Sequence, residues 1–199
     1  MNLSATNWLD LDADAQSAAL QRPTQAEQAS RSAAVAKIIE TVRMEGDAAL
    51  LRYTRKFDNA DLESLAVSDE EAQAAQAALT PATLAAIDVA INNVRTFHEA
   101  QLPAPLSVET AAGITCERFS HPLDAVGLYV PAGTAPLPSA AIMLAVPAAL
   151  AGCPTRIMCT PPRPDGSADP AVVVAARKAG VTDIYKVCLL YTSPSPRDA

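Results

Sequence analysis

The residues best suited to chemistry lie around a loop, residues 131–138, that is rich in proline and glycine. Tyr129 stands just before this loop and Ser139 just after it. A helix that starts after such a loop presents backbone N–H groups and a partial positive charge, which suit a phosphate. Gly133 would let the backbone approach a ligand closely, and Tyr129 could place its ring against a planar base. The loop therefore has the residue types of a nucleotide-binding site.

The same loop has a purely structural explanation. Prolines stiffen a loop whether or not it binds a ligand, and a tyrosine can end a strand for packing alone. The dinucleotide fingerprint G-x-G-x-x-G is absent from this sequence. The residues by themselves leave a nucleotide site and a structural loop equally open.

The histidines and cysteines do not form a recognisable metal or catalytic cluster. His98 lies on the apolar stripe of a predicted helix, which favours a core or interface position, and His121 precedes a proline in a predicted exposed turn. A catalytic zinc needs about three protein ligands, so we assign no metal ligand and no catalytic residue in this chain. The cysteines lack the close pairing of zinc or redox motifs, and we expect four buried free thiols: Cys116, Cys153, Cys159 and Cys188.

The composition indicates a folded, acidic protein. Hydrophobic residues make up 50% and charged residues 19% of the chain, which is enough to bury a core. The formal net charge is −7 at pH 7, and the sequence has no cluster of Lys and Arg that would bind phosphate backbones or anionic lipids. The N-terminus does not look like a signal peptide, and the longest apolar run is too short to cross a bilayer. We expect no nucleic-acid partner, no membrane span and a cytoplasmic location.

Start and stop signals of helices fill the first hundred residues. Thr24 and Ser68 each have a glutamate three residues later, as in a capping box, and Thr80 is followed by a proline at the first helical position. Gly46 ends one predicted helix, and Asp47 begins the next. Apolar residues between these signals recur at helical spacing, which predicts a mainly helical first region.

After two prolines at 103 and 105 the pattern changes to that of strands and helices in alternation. Residues 114–119 alternate as an edge strand does. Residues 125–130 form a continuous apolar run, which predicts a strand covered on both faces. Two more strands and two helices follow: helix 140–151 capped by Ser139, strand 156–160, helix 170–179 capped by Asp169, and strand 183–187. This order is the repeating unit of a doubly wound parallel sheet with right-handed crossovers.

Two separate motifs in this sequence resemble the histidinol dehydrogenase family. One is the loop with its flanking strand and helix, and the other is a helical segment near the N-terminus. The order of the two motifs also matches, and the resemblance extends to about Val187. The residues that carry it are 127–148 for the loop, 42–50 with Tyr53, Phe57 and Asp58 for the helical segment, and 96–98 in the long helix.

The resemblance implies an α/β fold and an enzyme. A mainly helical N-terminal region, residues 1–124, would precede the first half of an incomplete Rossmann-like parallel sheet with helices on its faces, residues 125–187. Members of the family oxidise L-histidinol to L-histidine through the aldehyde, the last step of histidine biosynthesis. They use two NAD and a zinc ion, and they are cytoplasmic homodimers.

By position, the resemblance makes Tyr129 the tyrosine that contacts NAD. Pro131, Gly133 and Ser139 are assigned to the same cofactor site with it. Alanine stands at position 132 where the family usually has glycine. Because alanine tolerates positive φ poorly, we expect ordinary backbone angles there and a tolerated change.

A second departure lies at the end of the chain. Residues 188–191 read Cys-Leu-Leu-Tyr where the family has Gly-Gly-Ala-Gln, whose glutamine also contacts NAD. We interpret residues 188–199 as a non-native tail. The zinc ligands, the acid–base pair and most substrate contacts of the family lie beyond this point, so we expect an inactive fragment. The alternatives are a related zinc- and NAD-dependent dehydrogenase of another small alcohol, or a non-catalytic nucleotide-binding or interaction module.

Overall fold

The computed structural model describes residues 7–20, 25–132 and 136–188, apart from the side chains of residue 18 and residues 25–31. The capping box predicted from Thr24 and the loop residue Gly133 lie outside this part of the chain, as do residues 189–199 of the predicted tail.

The predicted helical first region is confirmed. A short 3₁₀ helix, Trp8–Asp10, precedes five α-helices: α1 (Ala13–Leu20), α2 (Gln25–Glu45), α3 (Asp47–Phe57), α4 (Asp69–Ala77) and α5 (Pro81–Glu99). Gly46 separates α2 from α3 at φ 60°, a left-handed conformation that glycine adopts without strain. Gly46 therefore ends α2 and Asp47 begins α3, as the sequence predicted.

The predicted caps of α4 and α5 are also confirmed. The Ser68 hydroxyl accepts a hydrogen bond from the N–H of Glu71 at 3.1 Å, and the Thr80 hydroxyl accepts one from Thr83 at 3.1 Å. The second half of the capping box at Ser68 is different from the prediction. The Glu71 carboxylate accepts hydrogen bonds from the Ala168 N–H at 2.9 Å and from Lys186 Nζ at 2.9 Å. Glu71 therefore joins α4 to distant parts of the chain.

A small antiparallel hairpin separates the helices from the parallel sheet. It consists of β1 (Leu106–Ala111) and β2 (Ile114–Arg118), so residues 114–119 are a strand as predicted. Its partner β1 was not predicted. All residues of both strands are exposed, and a two-stranded hairpin gains little stability by itself.

Three parallel strands and two crossover helices follow in the predicted order. They are β3 (Ala125–Tyr129), α6 (Pro138–Leu150), β4 (Thr155–Thr160), α7 (Pro170–Lys178) and β5 (Asp183–Lys186). The strand order in the sheet is β3-β4-β5. Asp169 caps α7 by accepting from Ala171 N and Val172 N. Gly152 and Gly180, both at positive φ, follow α6 and α7 as the sequence indicated.

One face of this sheet is buried against helices. Leu128, Met158 and Ile184 lie side by side in register across the three strands, and each is buried. They share one core with apolar side chains of α4, α5, α6 and α7. This core contains residues from both sides of position 124. The domain boundary predicted at position 124 stays a prediction, and it does not divide the core.

The opposite face is more open, which corrects one expectation. The run 125–130 was predicted to be covered on both faces, yet Ala125 and Gly127 are exposed in β3. Ile157, their neighbour in β4, is 36% exposed. Parallel sheets are normally covered on both faces. The described residues supply cover on this face only towards the carboxyl ends of the strands.

The edge of the sheet at β5 is paired by the N-terminal region. Ala66 forms an antiparallel bridge with Tyr185, the Val67 N–H donates to Ile184 O at 2.9 Å, and the Lys186 N–H donates to Leu65 O at 2.7 Å. The buried Lys186 side chain reinforces this connection through its ion pair with Glu71. The segment before α4 therefore closes one edge of the sheet, and β3 forms the other edge.

None of the described helices is long and apolar enough to span a membrane by itself. The pair α4 and α5 passes the length and composition criteria together, with a bend of 110° between the two helices.

The two faces of β4 predict different mutational sensitivities. Met158→Ala leaves a cavity in the shared core and should lower the free energy of unfolding by about 2–5 kcal/mol. Ile157→Ala, one residue earlier on the open face, should cost less than about 1 kcal/mol. Urea denaturation followed by circular dichroism measures both. Equal losses for the two variants would contradict the assignment of the faces.

Candidate cofactor-binding site

Tyr129 is the last residue of β3, at the carboxyl end of the sheet. Its side chain is half-buried on the face opposite Met158, and its hydroxyl lies 3.9 Å from Cys188 Sγ. In register with it are Cys159 on β4 and Tyr185 on β5, both half-buried. Ligands of open parallel sheets bind outside the carboxyl ends of the strands, so this row, Tyr129–Cys159–Tyr185, is correctly placed for a cofactor.

The helix after Tyr129 begins earlier than predicted. The N-cap of α6 is Leu137, with Pro138 in the first turn, so the prediction that Ser139 caps this helix is wrong. Proline favours the first helical turn because its fixed φ suits a helix and its missing N–H is not needed there. Ser139 instead lies exposed within the first turn. Leu137 provides no side-chain hydrogen bond to the helix, so the partial positive charge of this end is not neutralised by a cap.

The other predicted residues of the loop lie near this helix end in the sequence. Pro131 is exposed and Ala132 is half-buried, while Gly133 is outside the described residues. Ala132 does not have a positive φ, as expected from its replacement of a glycine. Tyr129 is half-buried, while Pro131 and Ser139 are exposed. An aromatic ring and a helix end whose N-cap residue Leu137 makes no side-chain hydrogen bond therefore flank the loop. These features fit a dinucleotide.

A cavity of about 280 Å³ lies on the same face, beside Tyr185. Its floor is formed by Cys159, Tyr185 and Val187 of the sheet. The N-terminal turn of α3 and the segment 64–66 form its walls. The prediction from sequence missed this cavity, because its wall comes from a segment 120 residues away that carries no motif. The one local signal is that Tyr185 alternates with the buried residues Ile184 and Lys186 of β5.

The cysteines occupy three different environments. Cys153 is buried, Cys159 and Cys188 are half-buried, and Cys116 is exposed on the hairpin. The prediction of buried thiols is therefore wrong for Cys116, because none of the described helices or strands covers β2. Burial raises the pKa of the Cys159 thiol above its usual value, so this side chain of the site is a neutral thiol at physiological pH.

The described residues contain no group of three or more His, Cys, Asp or Glu side chains that could hold a metal ion. His98 is half-buried, with its ring edge-to-face against Phe97 at 5.6 Å between centroids. His121 is exposed beside Phe119.

The raised pKa of Cys159 predicts its reactivity. Only the thiolate reacts with iodoacetamide, so the pH at which Cys159 becomes half-modified should lie above that of a free cysteine peptide. Cys116, which is exposed on the hairpin, should be alkylated sooner than Cys159 at every pH from 7 to 9. Peptide mass spectrometry after timed alkylation measures both sites. Faster labelling of Cys159 than of Cys116 at pH 7 would contradict the burial.

Comparison with known proteins assigns this architecture to a family. The family model described as histidinol dehydrogenase matches residues 20–188. The chain is 49% identical over 185 residues to a histidinol dehydrogenase of Xanthomonas campestris. That alignment covers 93% of this chain and 43% of the relative. The chain is 46% identical over 184 residues to that of Idiomarina loihiensis, covering 92% of this chain and 42% of the relative.

A solved structure agrees with these sequence matches. The crystal structure of histidinol dehydrogenase from Elizabethkingia anophelis aligns with a TM-score of 0.79 and 35% sequence identity. The alignment covers 86% of this chain and 39% of that structure. The chain thus spans less than half the length of these relatives. The matches favour neither alternative, a related dehydrogenase of another small alcohol or a non-catalytic nucleotide-binding or interaction module. The resemblance found in the sequence is confirmed, and the chain belongs to the histidinol dehydrogenase family.

Proposed function

We propose that this chain provides part of the dinucleotide-binding site of an NAD-dependent dehydrogenase that oxidises L-histidinol to L-histidine. The observation that carries the proposal is the position of Tyr129, at the carboxyl end of β3 and half-buried beside the loop to α6, in a chain of this family. By the same resemblance we propose histidine biosynthesis in the cytoplasm and a homodimeric enzyme.

The residues of this chain would bind and orient the cofactor. Tyr129 offers an aromatic ring for packing against a planar base. Within the first turn of α6, Pro138 has no N–H and the Ala140 N–H donates to Leu137 O at 3.0 Å. The turn would therefore hold a phosphate through the Ser139 N–H and through its partial positive charge. The loop that contains Pro131 would line the path of the cofactor between the Tyr129 ring and the first turn of α6. NAD, when bound, supplies the acceptor for a hydride from the alcohol carbon of the substrate.

The described residues do not fit the zinc ion that the family resemblance implies. A catalytic zinc needs about three converging protein ligands, and the described part of the chain contains no such group. Neither histidine is placed with other potential ligands. We therefore derive no step of the reaction through zinc from this chain, and we assign the polarisation of the alcohol to residues outside it.

Binding of NAD to this chain tests the proposal directly. Tyr129→Ala should weaken NAD binding about five-fold or more, because an aromatic contact with a base contributes about 1–3 kcal/mol. Tyr129→Phe keeps the ring and should stay within a few-fold of the unmodified chain. Titration of ¹⁵N-labelled protein, followed by NMR, gives the dissociation constants. The proposal fails if NAD binds with the same affinity to the alanine variant.

A second prediction concerns turnover. The purified chain should produce no NADH from L-histidinol and NAD above the buffer rate, with or without added zinc, because it lacks converging metal ligands in its described part. The full-length relative from Xanthomonas campestris serves as the positive control. NADH formation that scales with the concentration of this chain and is lost in Tyr129→Ala would contradict the expected inactivity.

A further inference from the structure

The Glu71 carboxylate is bound to two distant parts of the chain at once. Its Oε2 atom accepts a hydrogen bond from Lys186 Nζ at 2.9 Å, and its Oε1 atom accepts one from the Ala168 N–H at 2.9 Å. Lys186 is the last residue of β5, and Ala168 precedes the Asp169 cap of α7 in the connection from β4. A single side chain of α4 therefore connects two segments at the carboxyl edge of the sheet, the edge at which Tyr129 ends β3.

The ion pair between Glu71 and Lys186 is shielded from water. The Lys186 side chain is 10% exposed and the Glu71 side chain 22%. Among the ion pairs of the described residues, this is the one in which both side chains are less than a quarter exposed. Water and salt screen such a pair less than they screen a surface pair. Lys186 Nζ has no second hydrogen-bond acceptor in the described part of the chain, so removal of the carboxylate would leave a buried cation unpaired.

Lys186 is fixed on two sides, and its neighbours in the chain line the candidate site. Its N–H donates to Leu65 O at 2.7 Å, so its backbone is paired as well as its side chain. Because side chains alternate along a strand, the residues before and after Lys186 point to the opposite face. These residues are Tyr185 and Val187, and both line the cavity on that face. A shift of Lys186 would therefore move the floor of the candidate site.

We propose that Glu71 and Lys186 are positioning residues for the cofactor site. The pair acts from the opposite face of the sheet, without touching the cofactor. It sets where the carboxyl end of β5 and the start of α7 lie relative to Tyr129, and it thereby sets the affinity for NAD. A site whose parts are already in place loses less free energy to ordering when its ligand binds. The N-terminal helices thus contribute to cofactor binding, although none of the predicted cofactor residues lies in them. This inference rests on the proposed function and adds to it the residues that keep its site in place.

The first experiment removes the ion pair and keeps the shape of the side chain. In Glu71→Gln, the side-chain carbonyl can still accept from the Ala168 N–H, but Lys186 loses its carboxylate partner. Titration of the ¹⁵N-labelled chain with NAD, followed by NMR, should give a dissociation constant several-fold higher than that of the unmodified chain. The amide signals of Tyr185 and Val187 should already be shifted before NAD is added.

Asp69→Asn is the matched control for this variant. Asp69 lies in the same first turn of α4 as Glu71, and it pairs with Arg177 at 3.0 Å. Its side chain is 79% exposed, and its partner Arg177 lies in the last turn of α7, away from the end of β5. Asp69→Asn therefore removes one carboxylate and one ion pair from the same turn without affecting the carboxyl edge of the sheet. It should leave the NAD affinity within about two-fold, since exposed ion pairs contribute little.

Two further variants separate positioning from stability. Glu71→Gln combined with Lys186→Met removes both charges, so that no buried cation is left unpaired. The midpoint of thermal unfolding of this double variant should return towards that of the unmodified chain, whereas its NAD affinity should stay low because α4 is no longer bound to β5. Lys186→Arg retains a cation for Glu71 and should keep most of the affinity. All titrations are made at a temperature at which circular dichroism shows that the variant is folded.

The inference is overturned if Glu71→Gln lowers the NAD affinity no more than Asp69→Asn does. It is also overturned if the affinity of the double variant recovers together with its stability, or if Lys186→Arg loses as much affinity as Glu71→Gln. Failure of the proposed function gives a different result: the unmodified chain does not bind NAD, or Tyr129→Ala binds it as tightly, and the positioning role is then wrong as well. If NAD binding depends on Tyr129 and not on Glu71, the cofactor site stands and only the positioning role is wrong.

Discussion

Alternation of side chains along three parallel strands in register determines where the candidate site residues of this protein lie. Leu128, Met158 and Ile184 are buried together against the helices. Successive side chains point to opposite faces of a strand. The residue that follows each of these three must therefore face away from the core. Packing on one face thus places the row Tyr129–Cys159–Tyr185 on the other.

The N-terminal helices do more than cover the core. The segment before α4 pairs with β5, and the Glu71 carboxylate connects α4 to Lys186 and to the start of α7. These contacts close one edge of the sheet and build the wall of the cavity. The edge at β3 and the face around Gly127 remain exposed.

Local signals in the sequence predicted most of the elements. Ser68, Thr80 and Asp169 cap helices as expected because capping depends on residues two or three positions apart. The sequence did not predict β1, the exposure of Cys116 or the start of α6 at Leu137. The exposed hairpin and its cysteine depend on which layers cover a strand. The start of α6 depends on the preference of proline for the first helical turn. Periodicity reports none of these.

The candidate site also has one part that the sequence predicted and one part that it did not. Tyr129 was found because it stands in a local motif, whereas the cavity was missed because Asp47, Ala66 and Tyr185 come from distant segments. Their proximity follows from the bridge between Ala66 and Tyr185, a non-local pairing that no spacing rule contains. Sequence reasoning therefore predicted a cofactor site at the loop, and the fold was needed to show which face of the sheet lies beside that loop.

The most direct measurement of the central claim is a map of the backbone amides whose NMR signals shift when NAD binds. We expect the shifted signals to belong to residues of the Tyr129–Cys159–Tyr185 row and of the first turn of α6. Shifts confined to the Met158 face and the helices packed on it would contradict this expectation.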